Sequence, residues 1–94
     1  MKKNSFVNVS FIDDKTMKSL NKKHRGKDYA TDVLSFSINE PTPDGKFYLG
    51  DIIVNLDQAK RQAKDYKNTL EEEVSELVAH GMLHLQGIHH EGDD

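Results

Sequence analysis

The stretch TLEEEVSELVAHGMLHL, residues 69–85, predicts a long helix with one buried face. Thr69 can cap its N-terminus, and Glu72 three residues later completes a capping box. The acidic residues of the first turn favour the positive end of the helix dipole. Gly87 is expected to end the helix in a left-handed turn. The apolar residues that form the buried face at helical spacing are Leu70, Val74, Leu77, Val78 and Leu85.

Three shorter segments upstream of this helix predict β-strands. Residues 6–11 partly alternate between apolar and polar side chains, as a half-buried strand does. Residues 33–38 and 47–55 are rich in β-branched and aromatic residues, which strands favour. The turn sequence PTPDG at 41–45 lies between these two segments, so they can pair as antiparallel strands.

Two more helices complete the predicted elements. Asp13 or Asp14 can cap the first of them, and Gly26 ends it. Asn55 can cap the second, which is expected to lie across the sheet. The order strand, helix, two strands and two helices is typical of a single α+β or α/β unit.

Length and composition limit what the chain can be. With 94 residues, no repeat and no linker, residues 1–94 are predicted to form one domain with a small core. A net charge of -3 argues against coating nucleic acid by bulk charge, so contacts with phosphates must be local. The absence of cysteine excludes disulfides and thiolate metal sites. No apolar run approaches a membrane span and the N-terminus is unlike a signal peptide, so a cytoplasmic location without a membrane partner is expected.

Four of the five histidines lie in HGMLHLQGIHH, residues 80–90. His80 and His84 are four residues apart, so their side chains share one flank of the helix and can share one metal ion. A break at Gly87 can return His90 to the same ion, and the resulting H-x3-H-x5-H spacing also occurs in the metzincin motif. Three neutral nitrogens and an open fourth position are typical of a catalytic zinc, although supply decides whether zinc, copper or nickel is bound.

Gly81 occupies the position at which zinc peptidases carry their general base. Those enzymes have a glutamate directly after the first histidine of the motif, and this chain lacks it. The pattern therefore predicts the metal site without the peptidase mechanism, and the substrate has to be of another class.

Four blocks in the same order resemble the YbeY family of bacterial zinc-dependent endoribonucleases and rRNA maturation factors. They are LNKKHRGKD (20–28), TDVLSF (31–36), LGDI (49–52) and HGMLHLQGIHH (80–90). The resemblance implies a mixed sheet of about four strands with helices packed on it. It also implies one zinc held by His80, His84 and His90, and single-strand-specific cleavage in the maturation of the 16S rRNA 3′ end and in ribosome quality control.

The chain departs from the family pattern in two ways. The last block of the family usually has aspartate where this chain has His89, which offers the ion a competing nitrogen. The chain is also short at both ends, because family members typically begin with a further strand and helix and close with another helix. It is therefore either a fragment or a compact member.

Arg25 is the predicted catalytic residue, because it corresponds to the family's arginine near the metal that binds the RNA phosphate. It lies in the densest basic cluster of the chain, with Lys22, Lys23, His24 and Lys27. A zinc facing a guanidinium can neutralise a phosphate from two sides. From charge alone, these cations are more typical of a solvated helix end; the family resemblance reverses this for Arg25 only, and the role of the lysines stays open.

For other polar residues, the sequence favours structural or solvated positions over a direct catalytic role. Asp32 and Asp51 are expected to be turn, cap or backbone-organising acceptors. Glu73 and Glu76 are expected to be solvated charges, and His24 a surface residue.

Three functions therefore remain open. The first is a metal-dependent ribonuclease acting on ribosomal RNA at the small ribosomal subunit, with no DNA substrate expected. The second is a ribosome-assembly or RNA-binding factor in which zinc is structural, since no unambiguous general base stands beside the histidines. The third is a metallohydrolase of another substrate, which Gly81 disfavours. The oligomeric state is left open.

Overall fold

The structure is a computed structural model that describes residues 4–86. Its elements follow the predicted order of strand, helix, two strands and two helices. They are β1 (Ser5–Ile12), α1 (Asp14–Arg25), β2 (Val33–Pro41), β3 (Phe47–Asn55), α2 (Leu56–Asp65) and α3 (Leu70–Leu85). None of the helices within residues 4–86 is long and apolar enough to cross a membrane.

The sheet is mixed and has the strand order β1-β3-β2. β2 and β3 pair antiparallel, as the turn between them predicts, and β1 pairs with β3 in parallel. The α+β class is therefore confirmed. The expectation of about four strands is wrong for residues 4–86, which form three.

Side chains at the helix termini hold the ends of the elements. Asp13 caps α1 by accepting from the Thr16 amide at 2.9 Å. Thr69 caps α3, and the reciprocal bond from the Thr69 amide to Glu72 completes the predicted capping box. Gly26 ends α1 with φ of 70°, a left-handed conformation that costs glycine little. These local predictions are confirmed.

The helices cover both faces of the sheet. Because side chains alternate along a strand, Ser35 and Phe36 point to opposite faces of β2. α3 packs on the face of Ser35, where the buried core consists of Val33, Ile52, Val54, Ala59 and Leu77. His24 of α1 contacts Phe36 on the other face, with 5.2 Å between ring centroids. The sheet thus lies between α1 on one side and α3 on the other.

A polar network joins α1, α2 and the end of β3. Asn55 is fully buried, and its side-chain amide donates to Asp14 at 2.7 Å and to the Thr31 carbonyl at 3.2 Å. Its oxygen accepts from the Gln58 amide and caps α2 as predicted. Arg61 makes two hydrogen bonds to the Asp14 carboxylate, at 2.8 and 2.9 Å. One buried amide therefore fixes where two helices begin.

The Asp14→Asn substitution is expected to destabilise the protein only where the wild-type carboxylate is charged. Hydrogen bonds from Arg61, and then from Asn55, hold the pKa of Asp14 below its ordinary value of 3.8. Such a carboxylate stabilises the fold above its ordinary pKa, and this contribution is lost as the pH falls through the lower folded-state pKa. Urea unfolding of both proteins at neutral pH and near pH 3 measures the difference.

The control for this prediction is Asp65→Asn, an exposed carboxylate at the end of α2. It should not lower the free energy of unfolding at neutral pH. An Asp14→Asn deficit that is as large near pH 3 as at neutral pH would contradict the electrostatic origin.

Candidate functional site

His80 and His84 stack on one flank of α3. Their rings are 4.6 Å apart between centroids and inclined by 67°. Both side chains are half-buried. The i, i+4 spacing explains the arrangement, because residues four apart lie one above the other on a helix. The structure thus brings together the two histidines that the sequence predicts on one flank.

α3 packs on β2 and β3 beside this flank. Gly81, directly after His80, lies against Ser35 of β2 and Ile52 of β3. Nearer the start of α3, Leu70 and Val74 line an apolar groove of about 480 Å³ together with Phe11 of β1. At 100° per residue, His84 lies about 40° and His80 about 80° from Leu70, so the two histidines lie to one side of the face that packs on the sheet.

Gly81 lies where α3 approaches the sheet most closely. A Cβ atom there would lie 2.8 Å from Ile52 Cγ2 and 3.0 Å from Ser35 Oγ. The Ser35 hydroxyl also donates to the Gly81 carbonyl at 3.1 Å. The residue after the first histidine therefore faces packed side chains and not the flank of the imidazoles. A glutamate could not fit here without moving the helix off the sheet.

A second glycine contributes to the same contact. Gly50 of β3 lies against the Phe36 carbonyl and against Leu85, one turn of α3 beyond Gly81. A side chain at Gly50 would collide with backbone. The close packing of α3 therefore extends along the helix to the level of His84.

The third predicted ligand, His90, lies outside the described residues, as do Gly87 and His89. Within residues 4–86, no third histidine, cysteine or carboxylate joins His80 and His84 in a group that could hold a metal. The ligand set predicted from the sequence therefore stays a prediction beyond its first two members.

Arg25 is the last residue of α1 and is exposed to solvent. Its neighbour His24 contacts Phe36, which places this end of α1 at β2, on the face opposite α3. The basic end of α1 and the middle of α3 thus contact β2 from its two faces. The position agrees with a basic helix end, and the predicted juxtaposition of Arg25 with the histidines stays a prediction.

Asn21 is a buried polar residue that the sequence analysis did not identify. It is fully buried, and its side-chain amide donates to the Tyr29 carbonyl at 2.9 Å. Its own backbone carbonyl accepts from the Lys27 amide at 3.4 Å. The available signal was its spacing, because Asn21 follows the buried Met17 by four residues and so shares its face of α1.

Three acidic residues for which the sequence predicts a role differ in how well the prediction agrees with the structure. Asp32 accepts from the Gln62 side chain at 3.3 Å, and Asp51 accepts from the Tyr48 hydroxyl. The hydrogen bond to Asp51 raises the pKa of Tyr48. Both carboxylates thus accept from neighbouring side chains, whereas the sequence predicts turn or cap acceptors. Glu73 contradicts the expectation of a solvated charge, because its side chain is only 4% exposed and accepts from Asn68 at 3.4 Å.

The chain matches the protein family described as Endoribonuclease YbeY over residues 1–94. It belongs to this family. The Endoribonuclease YbeY of Thermodesulfovibrio yellowstonii is 46% identical over 88 residues, which are 94% of this chain and 55% of the relative. That of Alkaliphilus oremlandii is 43% identical over 91 residues, which are 94% of this chain and 60% of the relative. The chain thus spans little more than half the length of these YbeY relatives.

A solved structure supports the fold assignment. The solution structure of TM1509 from Thermotoga maritima is 39% identical in sequence and matches with a TM-score of 0.60. The match covers 94% of this chain and 55% of that chain. The mixed sheet with helices on it is therefore an arrangement that this chain shares with a longer protein.

Gly81→Ala is expected to lower the free energy of unfolding by about 1–3 kcal/mol, because the new Cβ overpacks the contact with Ile52 and Ser35. The sign of the change in the free energy of unfolding is informative, since alanine stabilises a helix interior by roughly 1 kcal/mol relative to glycine where space is free. Chemical denaturation provides the measurement. Ser75→Ala, at an exposed position of α3, is the control and should be neutral or slightly stabilising. A stabilised Gly81→Ala protein would contradict the close approach.

Proposed function

We propose that the protein is a zinc-dependent, single-strand-specific endoribonuclease that acts in 16S rRNA 3′-end maturation and ribosome quality control. The observation that carries the proposal is the pair of imidazoles, 4.6 Å apart between centroids, in a chain of the Endoribonuclease YbeY family. Its substrate is then ribosomal RNA, its partner is the small ribosomal subunit and its location is the cytoplasm.

The residues of the site suit zinc. Two stacked imidazoles at i, i+4 offer neutral nitrogen donors from a rigid helix, and the chain has no cysteine to close a structural site. His80, His84 and His90 would hold the ion, and His89 would orient a neighbour. When bound, zinc supplies Lewis-acid chemistry to a phosphodiester.

The guanidinium of Arg25 would bind the scissile phosphate. Cleavage of a phosphodiester concentrates negative charge on the phosphate oxygens, and a fixed cation with paired donors stabilises that charge. Arg25 is available for this contact because its side chain makes no hydrogen bond or ion pair with any residue of 4–86. Its location beside β2, the strand that α3 contacts from the other face, supports the assignment.

A second candidate is a zinc-stabilised RNA-binding factor of ribosome assembly without hydrolytic activity. One observation favours it, namely that no carboxylate of residues 4–86 joins His80 and His84 as a general base. A metallohydrolase of peptides is disfavoured, because the position of its glutamate is occupied by Gly81 in close contact with the sheet.

His80→Ala and His84→Ala are each expected to lose most of the zinc, which wild type should bind at about one ion per chain through nitrogen at about 2.0–2.1 Å. Both variants should also lose the stability that zinc adds to the folded state. Elemental analysis and thermal unfolding with and without a chelator measure the two effects.

His24→Ala is the matched control for the metal site, since it removes a histidine that contacts Phe36. It should keep full zinc. His90→Ala should reduce zinc content more than His89→Ala does. Full zinc occupancy in a His80→Ala, His84→Ala double variant would exclude the proposed site.

Arg25→Ala is expected to reduce RNA cleavage by at least about tenfold while zinc content and fold are retained, because transition-state charge loses its cation. Arg25→Lys should recover part of the activity, since lysine keeps the charge without the planar paired donors. The assay compares single-turnover cleavage of an rRNA 3′-end fragment, with casein as the alternative substrate.

Arg61→Ala is the control for this assay, because Arg61 is the chain's other arginine and pairs with Asp14. It should lower stability and leave cleavage intact at low temperature. His84→Ala should abolish cleavage. If Arg25→Ala cleaves at the wild-type rate, the phosphate role is wrong, and if wild type cleaves neither substrate, the RNA-binding factor is the better assignment.

A further inference from the structure

Tyr29 presents an exposed aromatic ring in the most basic part of the chain. Its side chain is 46% exposed, in the segment that follows α1. The last turn of α1 carries Lys22, Lys23 and Arg25, and Lys27 follows directly. Large apolar side chains on a surface are often contact residues, and here the neighbouring charges indicate an anionic partner.

The backbone that carries Tyr29 is held from within the protein. The buried side-chain amide of Asn21 donates to the Tyr29 carbonyl at 2.9 Å, and the Lys27 amide donates to the Asn21 carbonyl. Gly26, in its left-handed conformation, donates to the Lys22 carbonyl at 3.1 Å. A ligand that contacts Tyr29 therefore meets a segment that is already ordered, which lowers the entropic cost of binding.

The local charge is positive although the chain carries a net charge of -3. The acidic residue of the segment is Asp28, which lies 4.0 Å from Lys18 with both side chains more than half exposed. An exposed pair of this kind is weak, so Asp28 neutralises little of the positive charge of Lys22, Lys23 and Arg25. A positive surface with an aromatic ring is the combination that binds single-stranded nucleic acid through phosphates and stacked bases.

We propose that Tyr29 stacks on an unpaired base of the RNA substrate, while the cations of the α1 end bind the adjacent phosphates. The proposal rests on the proposed function and deepens it by naming the residue that selects unpaired RNA. A base inside a duplex has no free face for the ring, so stacking favours single strands without reading their sequence.

The test measures binding without cleavage. The probe is a short fluorescein-labelled 2′-O-methyl oligouridylate, whose length is checked after the titration; the salt concentration is held constant because phosphate contacts depend on ionic strength. Tyr29→Ala is expected to weaken binding by about five- to a hundredfold, the range found for loss of one stacked base. Tyr29→Phe should bind like wild type, since the ring is retained.

The chain offers a matched control in Tyr66, which is 65% exposed at the end of α2. Tyr66→Ala should leave binding unchanged. Unchanged binding by Tyr29→Ala, or an equal loss in Tyr66→Ala, would overturn the proposal.

A second measurement does not require the alanine variant to fold. The chain contains three tyrosines and no tryptophan, so its emission reports tyrosine directly. Addition of the oligonucleotide should quench wild-type emission, and the quenching should be largely absent in Tyr29→Phe. Equal quenching in both proteins would place the stacked ring elsewhere and overturn the proposal.

An abasic scan identifies the partner of the ring. One abasic position in the oligonucleotide should weaken wild-type binding as much as Tyr29→Ala does, without weakening the variant further. If no abasic position has an effect and an oligoglutamate peptide binds through Tyr29 instead, the surface binds acidic protein and the RNA assignment is wrong.

The outcomes separate this inference from the proposed function. If the oligonucleotide binds through Tyr29 and no RNA is cleaved, the stacking contact is supported and the ribonuclease proposal fails. If RNA is cleaved and Tyr29→Ala binds as wild type does, the stacking contact alone fails.

Discussion

The contact of Gly81 with Ile52 and Ser35 determines where α3 lies. Without a side chain at this position, the helix backbone comes within hydrogen-bonding distance of β2, and the Ser35 hydroxyl bonds to the Gly81 carbonyl. The rotation of α3 about its axis is then settled, because Gly81 must face the sheet. At 100° per residue, Leu70 and Val74 lie within about 20° of Gly81 and share its face, while His84 and His80 lie about 60° and 100° to one side of it. The positions of the candidate ligands therefore follow from a packing constraint.

Much of the fold could be predicted from the sequence because its signals are local. The caps at Asp13, Asn55 and Thr69 each depend on a side chain and a backbone amide a few residues away. The pairing of β2 with β3 follows from the short turn between them. The parallel pairing of β1 with β3 has no such signal, since it joins segments distant in the chain. The strand count taken from the family resemblance is wrong for residues 4–86, which form three strands.

In the candidate site, too, the features set by local spacing could be predicted and those set by long-range packing could not. Spacing alone places His80 and His84 on one flank, and the ring contact between them agrees. The burial of Glu73 and Asn21 could not be read from residue type, because both are polar residues that long-range packing covers. Glu73 accepts a hydrogen bond from Asn68, which lies in the turn after α2. Asn21 donates a hydrogen bond to Tyr29, which lies in the segment that follows α1. Helix periodicity predicts which face a residue occupies and does not predict how deeply neighbouring segments bury that face.

The mixed sheet also has a consequence for how the protein folds. β2 and β3 are neighbours in sequence and can form a hairpin with little loss of chain entropy. β1 pairs Ser5 with Phe47 and Ile12 with Asn55, so its docking closes a loop that contains α1, β2 and the hairpin turn. Contacts so distant in sequence slow folding, and their entropy must be lost before they stabilise the chain. We therefore expect the hairpin to form first and β1 to dock late, leaving the β1 edge of β3 transiently unpaired in the nascent protein.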